Sequence, residues 1–119
     1  MTPAELGIFL SDIPSKLIEA QRQLEVAINA YGDAADLEAK TEYEYRVAKS
    51  ATIQILRGEG VQVGVCLDIA NGDTAALKQS VMSAEGQKNK CKFLIEGMKE
   101  RIFTLRYLGK SINENKRDL

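Results

Sequence analysis

Basic and aromatic side chains in the last third of the chain are the residues best suited to chemistry, and that chemistry is anion binding. Lys92, Lys99 and Arg106 recur every seven residues, so a helix would place them in one line. Basic groups beside exposed aromatic rings can hold phosphates and stack bases. The competing interpretation is that the cations pair with acidic side chains of a neighbouring helix. The candidate ligand-binding residues are Gly60, Gly64, Lys92, Lys99, Arg106 and Tyr107.

The glycines among these candidates could add backbone N–H groups to an anion site. Gly58, Gly60 and Gly64 lie in one short segment. The segment lacks the strand and helix context of a Rossmann loop and the Gly-Lys-Ser/Thr ending of a Walker loop. A flexible loop that holds an anion within an oligomer and a purely structural turn both remain open.

The sequence shows no arrangement of residues typical of a catalytic site. The chain has no histidine, which removes the commonest general base and most zinc and iron sites. We expect the acidic run Glu38, Glu42 and Glu44 to form a solvated helix face. We also expect Cys66 and Cys91 to be buried thiols. We therefore expect a protein without enzymatic activity, cofactor or metal.

The elements that must position these residues are helices. A 3-4 apolar repeat runs from Leu77 to Ile112, and no strand would produce that period. Only Lys88 and Gly109 interrupt it. Its members are Leu77, Val81, Ala84, Cys91, Ile95, Met98, Ile102, Leu105 and Ile112.

The fold class that we predict is all-α: a long antiparallel helical hairpin with a short N-terminal helix, assembled into a helical-bundle oligomer. The chain would form one domain, 1–119, since 119 residues suit a single unit. Gly32 could kink the first long helix, although we favour continuity. The predicted elements are a short helix over 3–12, a long helix over 15–57, a connection over 58–72 and a long helix over 74–113.

The charged and apolar residues of the two long helices predict contacts within the chain and between copies of it. Residues 1–77 hold six basic and twelve acidic side chains, whereas residues 78–119 hold ten basic and five acidic ones. Ion pairs between the two halves of the chain would neutralise much of this difference in charge.

With Leu77 at heptad position d, aromatic residues fall at positions f and b, which normally face solvent. We therefore expect a homo-oligomer. Its interface candidates are Phe93, Phe103, Leu94 and Leu108. The first long helix should bury Leu17, Leu24, Ile28, Tyr31, Ala35, Ala48, Ala51 and Ile55.

The stretch from Tyr43 to Leu108 resembles a family of small all-helical bacteriophage proteins. The resemblance rests on a tyrosine-rich acidic helix over 42–48, on Gly58-Glu59-Gly60-Val61, on the run 67–73, and on a long helix that ends in alternating basic and apolar residues. It implies an intracellular phage accessory protein.

The function that we predict is binding without catalysis. The protein would act in counter-defence, by inhibiting a host factor or by sequestering a small anionic ligand such as a nucleotide. The alternative is a DNA-binding accessory factor in phage recombination or replication. The first twenty residues lack a basic start and no apolar stretch approaches membrane-spanning length, so we expect no membrane partner and a location in the cytoplasm of the infected host.

Overall fold

The computed structural model describes residues 12–117, with side chains described as far as residue 113. Three helices make up this part of the chain: α1 spans Ile13–Gly58, α2 spans Val63–Asp73 and α3 spans Ala75–Arg117. The two long helices, α1 and α3, pack against each other as in a hairpin. The all-α prediction is therefore confirmed, while the predicted short helix over 3–12 lies outside the described residues except for its last position.

Helix α1 begins close to the predicted start. Asp12 precedes it, and the carbonyl of Asp12 accepts the first helical bond from the Lys16 N–H at 2.9 Å. Pro14 falls in the first turn, where its missing N–H leaves no hydrogen bond unmade. The helix then continues through Gly32 without a break. A Cβ at Gly32 would meet open space, so no packing constraint requires glycine there.

Contacts within the chain fall into two compact units. The first unit takes in the chain up to Asn29 and from Cys91 onward, and the second is Ala30–Lys90. The prediction of a single domain stays a prediction. Each unit combines one stretch of α1 with one stretch of α3, and the second unit also contains α2.

The first unit has a small apolar core. Ala20, Ile102 and Leu105 are buried together, and Leu17 and Leu24 pack against them. Gly109, which interrupts the apolar repeat, lies opposite the buried Ile13. A Cβ on Gly109 would stand 3.7 Å from Cγ2 of Ile13, an ordinary van der Waals distance, so this position of the stripe can accept an alanine.

The buried face of α1 differs in part from the predicted one. Ala27 and Ala34 are buried, whereas Ile28 and Ile55 are largely exposed. Ala51 is exposed as well. The stripe follows alanines spaced by seven residues, because small side chains let the backbone of one helix approach the other and larger apolar residues then project outward.

The second interruption of the repeat, Lys88, belongs to the second unit and forms an ion pair with Glu38. Their Nζ and Oε2 atoms are 2.7 Å apart, and the side chains are only 28% and 20% exposed. The acidic run 38–44 is therefore not a uniformly solvated face. Glu38 occupies the stripe of α1, and the pair replaces one apolar contact of the packing.

Helix α2 corrects the predicted connection over 58–72. Gly60 has a φ of +87°, which glycine adopts readily, and it ends the turn that follows α1. The chain then becomes helical from Val63 and continues past Gly72. Glycine and β-branched residues are poor helix formers, so local propensity opposed this helix. Burial of Cys66 and Ala70, both completely inaccessible to solvent, stabilises it through tertiary packing.

Thr74 is the residue between α2 and α3, as expected for a helix start. Its N–H and its hydroxyl both donate to the Ala70 carbonyl, at 3.0 and 2.6 Å. Its own carbonyl accepts the Lys78 N–H at 3.0 Å and so opens α3. The hydroxyl therefore closes α2 rather than capping α3.

Neither long helix is apolar enough over its described length to cross a membrane.

The Glu38–Lys88 pair should act as a unit. Lys88→Met should lower the melting temperature, because the Glu38 carboxylate would remain half-buried without its cation. Lys88→Met combined with Glu38→Leu should restore the melting temperature or raise it, since two apolar side chains suit the stripe. Thermal unfolding followed by circular dichroism measures both. A double variant less stable than Lys88→Met would contradict the expectation.

The pH dependence of this pair has a defined direction. The hydrogen bond to Glu38 raises the pKa of the Lys88 ammonium above its ordinary value of 10.5. The contribution of the pair to stability is therefore complete below pH 10.5 and is lost as the pH rises through the higher folded-state pKa. On the alkaline side, the difference in melting temperature between the wild type and Lys88→Met should therefore begin to narrow above pH 10.5.

Thr74→Val should destabilise the protein by about 1 kcal/mol, because the Ala70 carbonyl would lose its hydroxyl donor in a buried setting. Urea denaturation measures the change. Thr74→Ser keeps the hydroxyl and serves as the control. Equal stability of the valine variant and the wild type would show that the hydroxyl hydrogen bond makes no net contribution.

Candidate ligand-binding groove

One groove in the first unit brings several of the predicted site residues together. Lys99, Phe103 and Arg106 of α3 line it, together with Gln21 of α1. Leu24 and Ile102 complete its lining, and the groove has a volume of about 340 Å³. We call it the cationic groove. Of the predicted ligand-binding residues, it contains Lys99 and Arg106.

The helical repeat explains this arrangement. Ile102 is buried in the core of the unit, and residues three before and four after it lie on the same side of the helix. Lys99 and Arg106 occupy those two positions. Phe103 follows Ile102 directly and projects outward beside the two cations, with its side chain 73% exposed.

The α1 side of the groove was not anticipated from the sequence. Leu24 packs on the core and supplies an apolar wall, while Gln21 follows the buried Ala20 and is exposed. The Gln21 amide offers both hydrogen-bond donors and an acceptor. Only knowledge of which α1 residues face α3 could have placed Gln21 here.

The cations of the basic line carry no carboxylate partner within the described chain. Lys92, Lys99 and Arg106 make no ion pair with any described residue. Among the described residues of this unit, the Glu19 carboxylate forms an ion pair with Arg22 at 2.6 Å. That hydrogen bond lowers the pKa of Glu19, with smaller contributions from Gln23 and Arg101.

Pairing between the basic line and a neighbouring acidic helix, the competing interpretation, is therefore not what the described residues show. The groove presents two available cations, an exposed ring, an amide and an apolar floor. Such a set can bind an anionic group and stack a planar one.

The other candidates of this unit lie outside the groove. Lys92 is exposed two helical turns before Lys99, and Phe93 and Tyr107 are exposed two heptads apart on the outer face of α3. Leu94 is about half exposed, and Leu108 is partly buried. These residues do not line the groove.

Gly60 and Gly64 belong to the second unit. The Gly60 N–H donates to the Arg57 carbonyl at 3.0 Å, so that donor is already used by the turn. Gly64 lies in the first turn of α2 and has open space around it. The conformation of the turn accounts for Gly60 without any ligand.

No group of three or more His, Cys, Asp or Glu residues among the described residues could hold a metal ion. Cys66 and Cys91 are free and buried, as predicted.

Sequence reasoning also missed a cluster in the second unit, where Lys49 and Lys78 both approach the ring of Tyr45. Tyr45 is partly buried, whereas Tyr43 is 70% exposed. A sequence signal was present, since residues 45–57 contain three basic residues and no acidic one.

Comparison with known proteins finds no matching family model, no matching curated protein and no matching solved structure.

Proposed function

We propose that this protein is a non-catalytic binding protein whose cationic groove takes an anionic ligand with a planar ring, of which a nucleotide is the simplest example. The observation that carries the proposal is the convergence of Lys99, Arg106 and Phe103 on one groove, with both cations free of described carboxylate partners. The cations would bind phosphate oxygens, and the ring would stack on the base.

The setting of the proposal is the phage context that the sequence resemblance suggests. A protein that sequesters a nucleotide signal would remove it from a host defence, which is one form of counter-defence. Binding of a host factor by the same exposed face, with inhibition of that factor, is the second form of counter-defence that we propose.

A second candidate function is binding to single-stranded nucleic acid. The line of Lys92, Lys99 and Arg106 favours it, because fourteen residues of helix extend over about 21 Å. An extended strand could contact all three cations, whereas a nucleotide in the groove would contact two. Salt dependence separates the two cases, since a strand releases counterions when it binds.

Self-association through the outer face of α3 forms part of the proposal. Phe93 and Phe103 expose 72% and 73% of their side chains, and Tyr107 exposes 64%. Large exposed aromatic residues concentrated on one helix are unusual for a monomer. A second copy of the chain is the partner that closed symmetry favours.

Ligand binding can be tested with two probes, ATP and a fluorescent oligothymidylate. In Lys99→Gln/Arg106→Gln, we expect ATP affinity to fall by roughly tenfold or more, because two charge-assisted contacts are lost. The control is Lys90→Gln/Lys110→Gln, which removes the same charge from exposed positions of α3 outside the groove.

The controls decide between the candidates. Loss of ATP binding in the groove variant alone supports nucleotide binding. Oligothymidylate binding that weakens in both variants and falls steeply with salt supports the nucleic-acid candidate. Failure of the wild type to bind either probe contradicts both.

Self-association predicts a dimer or a higher even oligomer in sedimentation velocity. Phe93→Ser/Phe103→Ser should dissociate it, because the two most exposed aromatic rings are lost. Ile18→Ser/Val26→Ser removes two exposed apolar side chains from α1 of the same unit and should leave the assembly intact. A monomeric wild type, or equal dissociation of the control, would refute the interface.

A further inference from the structure

Two ammonium groups converge on one tyrosine ring in the second unit. Nζ of Lys49 lies 5.7 Å from the centroid of the Tyr45 ring, and Nζ of Lys78, which comes from α3, lies 5.1 Å from it. Lys49 also donates a hydrogen bond to the Tyr45 hydroxyl at 3.4 Å. No described group accepts the proton of that hydroxyl, so it remains available as a donor.

The surroundings of this cluster are positively charged. From Tyr45 to Arg57, α1 carries three basic residues and no acidic one. The carboxylate one turn before Tyr45, on Glu42, is 2.7 Å from Arg46 and is engaged there. Lys49 and Lys78 form no ion pair with any described residue.

A surface depression adjoins the ring. It has a volume of about 480 Å³ and is lined by residues of α1, among them Tyr45, Lys49, Ser50 and Arg57. The Ser50 hydroxyl can donate a hydrogen bond, and Arg57 brings a further cation to the last turn of the helix. Tyr45 and Lys49 therefore border a space that a ligand can enter; Lys78 is not part of its lining but approaches the same ring from α3.

The attraction of the ring for cations does not by itself account for this arrangement. A lysine over a tyrosine face is stabilised by the ring. A second lysine brings another positive charge to the same ring, and no described carboxylate lies within ion-pair distance of either ammonium group. An anion bound beside the ring would neutralise part of this charge.

We infer that the Tyr45 cluster binds a phosphate group of a small phosphorylated ligand. The two lysines would supply compact positive charges with several N–H donors each. The Tyr45 hydroxyl would donate a further hydrogen bond. The cations gather around one ring rather than along a line, which suits a single phosphate or diphosphate group and not an extended strand. This site is separate from the cationic groove and does not depend on the function proposed for it.

Pyrophosphate is the probe that isolates this chemistry, because it carries the charge without a base or a sugar. Isothermal titration calorimetry at constant ionic strength should detect binding to the full-length wild type. In Lys49→Gln/Lys78→Gln, we expect the affinity to fall by roughly tenfold or more. Tyr45→Phe keeps the ring and should produce a smaller loss, through the missing hydroxyl alone.

Two comparison variants make the result specific. Lys40→Gln/Lys90→Gln removes the same charge from exposed lysines of the second unit and should bind pyrophosphate like the wild type. Lys99→Gln/Arg106→Gln alters the cationic groove and should also retain binding, so the two sites succeed or fail independently. Circular dichroism establishes that each variant is folded.

Three results would overturn the inference. The first is a wild type that does not bind pyrophosphate. The second is an equal loss in Lys40→Gln/Lys90→Gln, which would indicate general attraction to net charge. The third is binding that persists in folded Lys49→Gln/Lys78→Gln. We also expect the protein to bind an oligonucleotide more weakly than pyrophosphate. Tighter binding to the oligonucleotide would contradict a small phosphorylated ligand and would indicate a nucleic acid instead.

Discussion

The packing of one narrow stripe of α1 against one narrow stripe of α3 is the interaction on which the rest of the structure depends. Alanines at 20, 27 and 34 lie on that stripe, and Ala84 and Cys91 are buried on the facing helix. Small residues leave little apolar area to bury at each contact, so stability must come from the length of the stripe. Most of each helix surface stays in water, and that surface is where binding can evolve without disturbing the core.

The ion pair within the stripe affects the register of the two helices more than their stability. Glu38 and Lys88 are held at 2.7 Å in a partly dry setting, where desolvation offsets much of their attraction. A continuous 3-4 repeat permits two helices to slip by one heptad with similar apolar packing. A charged pair does not tolerate that slip, because each ion would then face an apolar neighbour. We attribute the register of α1 on α3 in the second unit to this pair.

The sequence predicted the long helices well, because the 3-4 repeat of α3 is strong and its apolar members are buried or partly buried. The prediction from sequence was wrong where side-chain size or helix propensity alone pointed to a different structure. Ile28 is larger than its neighbour Ala27 and attracted the assignment of the buried face, although close packing selects the alanine. Helix α2 was missed because Gly64 and Gly72 disfavour helices and only burial of Cys66 and Ala70 reveals it. Lys99 and Arg106 were predictable from their spacing along one helix. Gln21 in the groove and Lys78 at the Tyr45 ring were not, since each depends on contacts between helices that a single sequence does not display.

The two buried thiols give the molecule a pair of internal reporters. Cys91 belongs to the first unit and Cys66 to the second, and neither is bonded to the other. A buried thiol reacts with an alkylating reagent only when its surroundings open. Each cysteine therefore records the opening free energy of its own unit, and the difference between the two alkylation rates distinguishes a chain that unfolds in one step from one that opens unit by unit.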